Sequence, residues 1–218
     1  MTQRQTKKGF LLTFEGGEGA GKSTQIRALV QWFKQHHIPF EVTRQPGGSA
    51  LGKGLRRLVL STKTKNLSSR AELLLYEADR AQHVHEQVGP ALQTRKVVVS
   101  DRFADSSTVY QGICRNLGVD WTEELNRFAT SGLEPDLTIV LDVPVETGRE
   151  RLKKRRGLDR IEREKADFHR NVRNGFLRLA RRAPHRIKIV NGTNPKSEVT
   201  KEILRHLEPK LRRKGFRI

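Results

Sequence analysis

Short apolar runs alternate with longer amphipathic stretches along the chain. Strands are predicted at residues 10–14, 40–43, 97–100, 137–142 and 186–190. The third and fourth are nearly continuous apolar runs, as in strands that helices cover on both faces. Helices are predicted at residues 22–36, 49–60, 69–94, 121–131, 145–156, 163–183 and 196–212. Strands alternating with helices predict a parallel sheet in an α/β fold.

No internal repeat, low-complexity tract or linker divides the 218 residues, so we expect one domain over residues 1–218. No apolar run approaches the roughly 20 residues of a membrane helix, and the basic start of the chain lacks a signal-peptide pattern. These features predict a cytoplasmic protein with no membrane partner. The single cysteine, Cys114, excludes an intrachain disulfide and a thiolate zinc cluster.

The formal net charge of +19 raises the question of a nucleic-acid partner. Aromatic residues make up only 6% of the chain and do not interleave with the basic clusters as stacking platforms would. We therefore expect a scattered basic surface and disfavour nucleic acid as a partner.

The first predicted strand is followed by a glycine-rich segment that fits G-x-x-x-x-G-K-[ST]. It consists of Gly16, Gly17, Glu18, Gly19, Ala20, Gly21, Lys22 and Ser23, with Thr24 next in the predicted helix. Glycines let backbone N–H groups approach phosphates, Lys22 suits the β- and γ-phosphates, and the Ser23 hydroxyl suits Mg²⁺. The motif predicts ATP or GTP binding rather than a ligand-free turn. It does not choose among GTPases, motor-like ATPases and small-molecule kinases.

Three further groups of residues follow strands or share a helix face. Arg44 precedes a Pro-Gly-Gly turn, and Asp101 with Arg102 ends the third strand, where ligands of α/β folds bind. Tyr76 and Arg80 are four apart in a predicted helix and can stack on and read a nucleobase. The alternatives are a loop cap for Arg44, an ion pair with Asp101 for Arg102, and core packing for Tyr76.

Several segments together resemble the bacterial thymidylate kinases over nearly the whole chain. They are FEGGEGAGKSTQ at 14–25, TRQPGGS at 43–49, ELLLYEADR at 72–80, DRF at 101–103 through Ser106, YQG at 110–112, and PDL at 135–137 into Leu141 and Asp142. The resemblance implies a three-layer P-loop kinase fold, with a five-stranded parallel sheet and helices on both faces. It implies transfer of the γ-phosphate of ATP to dTMP with Mg²⁺, giving dTDP and ADP in dTTP synthesis, by a homodimer.

The resemblance also implies roles for single residues. Tyr76 stacks on thymine, Arg80 donates to its O4, Arg102 binds the acceptor phosphate, and Asp101 lies near Mg²⁺ beside Ser23. Glu18, Arg44, Ser106, Ser107, Tyr110 and Glu162 are further expected substrate contacts, and Gln111 is a weaker one. Gln45 departs from the family, which commonly has glutamate there, so we do not expect it to be a site residue.

A dense run of basic residues occupies the segment at about 149–162, which the resemblance identifies as a lid. It contains Arg149, Arg151, Lys153, Lys154, Arg155, Arg156 and Arg160, with Gly157 as a flexible point. Like charges repel one another here, so bound phosphates would favour closure. Arg151, Arg156 and Arg160 are therefore candidate catalytic residues with Lys22 and Arg102, although a solvated basic helix is the alternative for each.

Two other functions stay open at this point. One is a P-loop kinase for another (deoxy)nucleotide or a nucleoside. The other is a nucleic-acid-associated P-loop ATPase, which only the charge of +19 favours.

Overall fold

The computed structural model describes residues 8–153 and 157–218. Five strands form one parallel sheet in the order β2-β3-β1-β4-β5. The strands are β1 (Phe10–Glu15), β2 (Phe40–Arg44), β3 (Val97–Asp101), β4 (Leu137–Asp142) and β5 (Ile187–Asn191). The parallel α/β architecture predicted from the alternating pattern is confirmed.

Helices connect the strands and cover the sheet. They are α1 (Lys22–Gln35), α2 (Ala50–Leu60), α3 (Ser69–His83), α4 (Gly89–Gln93), α5 (Ala104–Ser107), α6 (Val119–Ala129), α7 (Val145–Lys153), α8 (Ala166–Arg182) and α9 (Lys196–Arg213). A π-helical segment, Val84–Val88, joins α3 to α4, and a second one, Thr108–Cys114, continues α5. None of the helices within the described ranges is both long enough and apolar enough to span a membrane.

The helical stretch from Ala104 to Cys114 was not predicted from the sequence. It contains serine, threonine, valine and glycine, which are weak helix formers, so its local propensity is low. Tertiary packing stabilises it instead, because Val109 and Tyr110 are buried against Val172 and Phe176 of α8.

Side chains alternate between the two faces of the sheet, as the pleat requires. On β4, Ile139 and Leu141 pack in a core with α1 and α9, whereas Val140 packs on the opposite face with α8. Leu11 of β1 belongs to a third buried cluster, with Val98 of β3. Helices therefore lie on both faces, which explains why the central strands are apolar throughout.

The strand register brings the candidate chemistry to one edge of the sheet. Asp101 at the end of β3 lies opposite Phe14 of β1 on one side and Arg44 of β2 on the other. Since the strands are parallel, the segments that follow them meet at this carboxyl edge.

Candidate active site

A cavity of about 580 Å³ lies at the carboxyl edge of the sheet. Most of the residues singled out from the sequence line it. They are Glu18, Gly19, Ala20, Gly21, Lys22, Ser23, Thr24, Arg44, Tyr76, Arg80, Asp101, Arg102, Ser106, Ser107, Tyr110, Gln111, Arg151 and Glu162. Gly16 and Gly17 lie outside the described lining, and Arg156 falls outside the described residues.

The glycine-rich segment forms a tight loop between β1 and α1. Gly19 and Gly21 have φ angles of 72° and 96°, in the region that favours glycine. A Cβ on Gly19 would also lie 2.3 Å from the carbonyl oxygen of Gly148 on α7, so the loop packs closely against that helix. The first turn of α1 begins at Lys22, and its N–H groups face the loop.

Lys22 folds back over the loop. Its Nζ donates to the carbonyls of Gly16 at 3.2 Å and Gly17 at 3.1 Å. Burial lowers the pKa of Lys22, and the nearby charge of Arg102 lowers it further. The ammonium therefore lies within the loop with its charge only partly compensated, an arrangement that favours an anionic ligand.

Ser23 and Asp101 offer two oxygen atoms for a cation. The Ser23 hydroxyl donates to Asp101 Oδ2 at 3.3 Å, so both oxygens lie within reach of one ion. In residues 8–153 and 157–218, no group of three or more histidine, cysteine, aspartate or glutamate side chains is arranged to hold a metal. Mg²⁺ commonly takes one or two protein oxygens, with phosphates and water completing its shell, so these donors fit it.

Arg102 lies between the loop and the helical segment that follows β3. Its Nη2 forms an ion pair with Glu18, its Nη1 donates to Gly16 O at 3.1 Å, and its guanidinium lies 5.2 Å from the ring centre of Tyr110. The Tyr110 hydroxyl also donates to Glu18 Oε1, at 3.1 Å. Burial would raise the pKa of Glu18, but the charges of Arg102 and Lys22 outweigh burial and lower it to about 2. Glu18 therefore carries its charge at neutral pH.

Arg80 is 2% exposed and holds together four parts of the chain. All five of its N–H groups have protein acceptors. These are Gln45 Oε1 at 3.1 Å, Glu77, Asn126 Oδ1 at 2.7 Å, the carbonyl of Phe103 at 3.3 Å and Ser107 Oγ at 3.1 Å. Tyr76 lies one turn earlier on α3 and lines the same cavity half-buried, as the i, i+4 spacing predicts.

Gln45 has a place in the site that the sequence did not indicate. Its side chain is buried and lines the cavity, and its carbonyl accepts from Arg80 Nε. Within the described chain its amide nitrogen has no hydrogen-bond partner. Gln45, where the resemblance implies a glutamate, therefore contacts Arg80 directly, and the charge of Arg80 is paired with Glu77.

The basic segment divides into residues at the cavity and residues away from it. Arg151 of α7 donates to the carbonyls of Gly19 at 3.3 Å and Gly192 at 3.2 Å, beside the loop. Arg160 lies outside the described lining, because its Nε donates to Val59 O at 2.8 Å and its Nη2 pairs with Glu72. Glu162 is buried in the cavity wall and accepts from the N–H of Asp159 at 3.0 Å.

One arginine in the cavity, Arg56 of α2, was missed from the sequence. It donates to Pro46 O at 2.8 Å, and burial together with the charges of Arg44 and Arg102 lowers its pKa. Helical spacing could have indicated it, since Gly52 and Val59 on the same side of α2 are buried. Arg44, Arg56 and Arg102 all line the cavity, so this part of it suits a phosphate.

A glycine loop between β1 and α1 of a parallel 2-3-1-4-5 sheet is the arrangement of a P-loop nucleotide-binding fold. The sequence model of the thymidylate kinase family matches residues 14–203. The thymidylate kinase of Desulfovibrio desulfuricans is 46% identical over 211 residues, which cover 94% of this chain and 97% of the relative. That of Symbiobacterium thermophilum is 43% identical, with 93% and 94% covered. The crystal structure of thymidylate kinase from Ehrlichia chaffeensis superposes with a TM-score of 0.76 at 28% identity, covering 91% of this chain and 98% of that one. The chain therefore belongs to the thymidylate kinase family.

Proposed function

We propose that this chain transfers the γ-phosphate of ATP to dTMP, giving dTDP and ADP. The observation that carries the proposal is a single cavity that joins the glycine loop, Arg102 and the Tyr76–Arg80 pair. Backbone amides beside a helix N-terminus suit a triphosphate, and an aromatic ring beside a guanidinium suits a nucleobase. Membership in the family supports thymine as that base.

For the donor, we propose that the loop holds the phosphates of ATP. Lys22 would exchange its bonds to Gly16 O and Gly17 O for phosphate oxygens, because the anion compensates its charge better than two carbonyls do. Ser23 and Asp101 would hold Mg²⁺, which would neutralise charge on the phosphates when bound.

For the acceptor phosphate, Arg102 is the main proposed ligand. Two of its N–H groups, Nε–H and one on Nη2, have no protein acceptor in the part of the chain that the structure describes. Arg44 and Arg56 lie in the same part of the cavity and add positive charge. Glu18 and Tyr110, which contact each other and Arg102, would then face the sugar.

For the base, the contacts of Arg80 refine the expected role of that residue. A bond from Arg80 to thymine O4 would need one of its protein contacts to give way, and the 3.3 Å bond to Phe103 O is the longest. Ser107 accepts from Arg80, so its own hydroxyl hydrogen is directed elsewhere and is available to a base. We propose that Arg80 orients Ser107 and that Tyr76 stacks on the ring.

Phosphoryl transfer to dTMP needs no strong general base, because the acceptor is already an anion. Positioning and positive charge around the transferring group suffice. We propose that Lys22, Arg102 and Arg151, which line the cavity, supply that charge. Arg160 would first have to leave Glu72 and Val59 O, and Arg156 remains a prediction from the sequence alone.

We also propose a homodimer, which the family resemblance implies. Large apolar side chains on three neighbouring helices are exposed, and in this proposal they form the surface that a second copy covers. They are Leu51 and Leu58 of α2, Leu74 of α3, and Trp121 and Phe128 of α6. Phe128 is 84% exposed, so Phe128→Asp should convert the dimer to a monomer in sedimentation equilibrium. We also propose a cytoplasmic location, as predicted from the sequence.

An acceptor panel tests the proposed activity. The purified chain is incubated with ATP, Mg²⁺ and each of several nucleosides and nucleoside monophosphates, and diphosphates are separated by chromatography. We expect dTDP to form fastest, and Lys22→Ala to abolish turnover while leaving the circular dichroism spectrum unchanged. Faster phosphorylation of another acceptor, or DNA-stimulated ATP hydrolysis without an acceptor, would replace the proposal with one of its rivals.

A further inference from the structure

Glu15, the last residue of β1, has a fully buried carboxylate directly before the glycine loop. Its Oε1 accepts from the backbone N–H of Phe103 at 2.7 Å, and its Oε2 accepts from the Ser106 hydroxyl at 2.6 Å. Burying a carboxylate costs free energy even when it is hydrogen-bonded. Glu15 lies behind the described lining of the cavity, so direct contact with substrate does not account for it.

The two contacts of Glu15 hold the turn that carries Arg102. Arg102 has a φ of 70°, an uncommon conformation for a residue other than glycine, which persists only where its surroundings fix it. Its N–H donates to Phe14 O at 2.9 Å, and its carbonyl accepts from the Ser100 hydroxyl at 2.7 Å. Glu15 fixes the next peptide by accepting from the N–H of Phe103.

Glu15 also acts on the guanidinium of Arg102. The hydrogen of the Ser106 hydroxyl points to Glu15, so a lone pair of Ser106 Oγ faces Arg102 Nη1 at 3.4 Å. Glu15 Oε2 itself lies 3.9 Å from the same nitrogen. One carboxylate thus fixes the backbone after Arg102 and the direction of its side chain.

We propose that Glu15 is a positioning residue for the acceptor phosphate, because it holds Arg102 where that phosphate binds. The inference rests on the proposed role of Arg102. It is separate from the identity of the acceptor, which the panel above tests with the unaltered chain.

The charge of Glu15 responds to pH near neutrality. Burial raises the pKa of Glu15 to about 7 and Asp105 adds to this, while Arg102, Ser106 and the N–H of Phe103 act against it. Lys22 faces the same buried space, and Arg186 compensates Asp105 as an ion pair. Protonation turns one oxygen of Glu15 from an acceptor into a donor, so the hold on Ser106 and Arg102 should weaken below pH 7.

Substitution of Glu15 tests the inference through the Michaelis constants of the two substrates. Glu15→Ala should raise the KM for dTMP between about tenfold and 100-fold, because a small displacement of a positioning group has effects of this size. The KM for ATP should change less than about twofold. Glu15→Gln keeps a carbonyl for Phe103 and should give an intermediate KM for dTMP, without the change near pH 7 that we expect for the unaltered chain.

Asp105→Asn is a matched control, since it also removes a buried carboxylate from this turn but leaves the contacts of Arg102 in place. Measured above about pH 8, where Glu15 carries its charge with or without Asp105, it should lower the thermal unfolding midpoint without separating the two KM values. A second test combines Glu15→Gln with Arg102→Met, where the glutamine should add almost nothing to the loss. Equal changes in both KM values, or full additivity in the double variant, would overturn the inference.

Discussion

Two arginines of the cavity, Arg80 and Arg102, differ in how many of their N–H groups the protein uses. Arg80 is 2% exposed and has an acceptor for all five. The side chain of Arg102 is 16% exposed and, within the described ranges, leaves two N–H groups without a protein acceptor. Arg80 therefore has a structural role in the wall of the cavity, whereas Arg102 can still bind an anion.

The difference shows that residue type alone does not assign a role in this site. A guanidinium with every donor satisfied is costly to move, and it fixes the side chains around it. A guanidinium that is held on one side only can exchange water for phosphate oxygens without breaking protein contacts. Substitutions of the two residues should therefore affect different properties, stability for Arg80 and turnover for Arg102.

The largest expected effect is the loss of catalytic activity in the Arg102→Met variant. We expect kcat/KM for dTMP to fall about 10³-fold or more, because a positive charge beside the reacting phosphates is lost. The free energy of unfolding should fall by less than for Arg80→Met, since Glu18 faces the cavity, where water can solvate the carboxylate that has lost its partner. Steady-state kinetics and urea unfolding measure the two quantities. Arg173→Met is the control, because Arg173 pairs with Asp142 outside the described lining of the cavity and should leave kcat/KM unchanged.

The corresponding substitution Arg80→Met should chiefly affect stability. It leaves Glu77 buried without its partner, and breaking a buried pair in this way costs about 3 to 5 kcal/mol. Adding Glu77→Gln should recover part of that loss in urea unfolding. Arg80→Met should also weaken the preference for dTMP, because Ser107 and Gln45 lose the donor that orients them. Glu77→Gln should not restore that preference, since it does not replace the donor. An Arg80→Met variant as stable as the unaltered chain would remove the distinction between the two arginines.

His83, one turn beyond Arg80 on α3, should make stability depend on pH. Burial and the charge of Arg80 lower the pKa of His83 to about 4, from 6.5 for the free side chain. Between these values the unfolded chain binds a proton that the folded chain does not, so the free energy of unfolding falls as pH falls from 6.5 to 4. The loss is about 3 kcal/mol.

His83→Gln should remove this part of the acid dependence, because glutamine does not titrate. The measurement is urea unfolding of both chains at several pH values between 4 and 7. His36→Gln, on an exposed histidine, should leave the dependence as it is. Parallel stability curves for the His83→Gln variant and the unaltered chain would show that the pKa of His83 is the same in the folded and unfolded chain, against the expectation.

The sequence predicted the parts of this molecule that depend on local pattern. The alternating strands and helices, the glycine loop and the Tyr76–Arg80 pair follow from residue spacing. In the structure the loop and the pair line one cavity. Arg56 and the buried carboxylate of Glu15 were not predicted, since their roles depend on contacts between residues distant in the chain. The helical stretch after β3 was missed for the same reason, because packing against α8 rather than propensity stabilises it.

Arg160 was predicted from the sequence to be catalytic, and contacts with distant residues hold it elsewhere. A dense run of basic residues predicts a lid whose arginines reach the phosphates. In the structure Arg160 instead pairs with Glu72, which also accepts from Gln111 and Arg115. Charge density along a chain indicates which segment meets an anion, whereas the partners of each arginine depend on which carboxylates the fold brings near it.

The smallest expected effect belongs to Ser107, through which Arg80 is proposed to act on the base. Ser107→Ala removes one hydroxyl donor and leaves one N–H of Arg80 without an acceptor. The KM for dTMP should rise about tenfold, the equivalent of one hydrogen bond, with kcat and the KM for ATP almost unchanged. Ser107→Thr keeps the hydroxyl and should stay closer to the unaltered value. The contrary result is a Ser107→Ala variant with lower stability and an unchanged KM for dTMP. That result would give Ser107 a structural role only, like Arg80, and other residues of the cavity would then recognise the base.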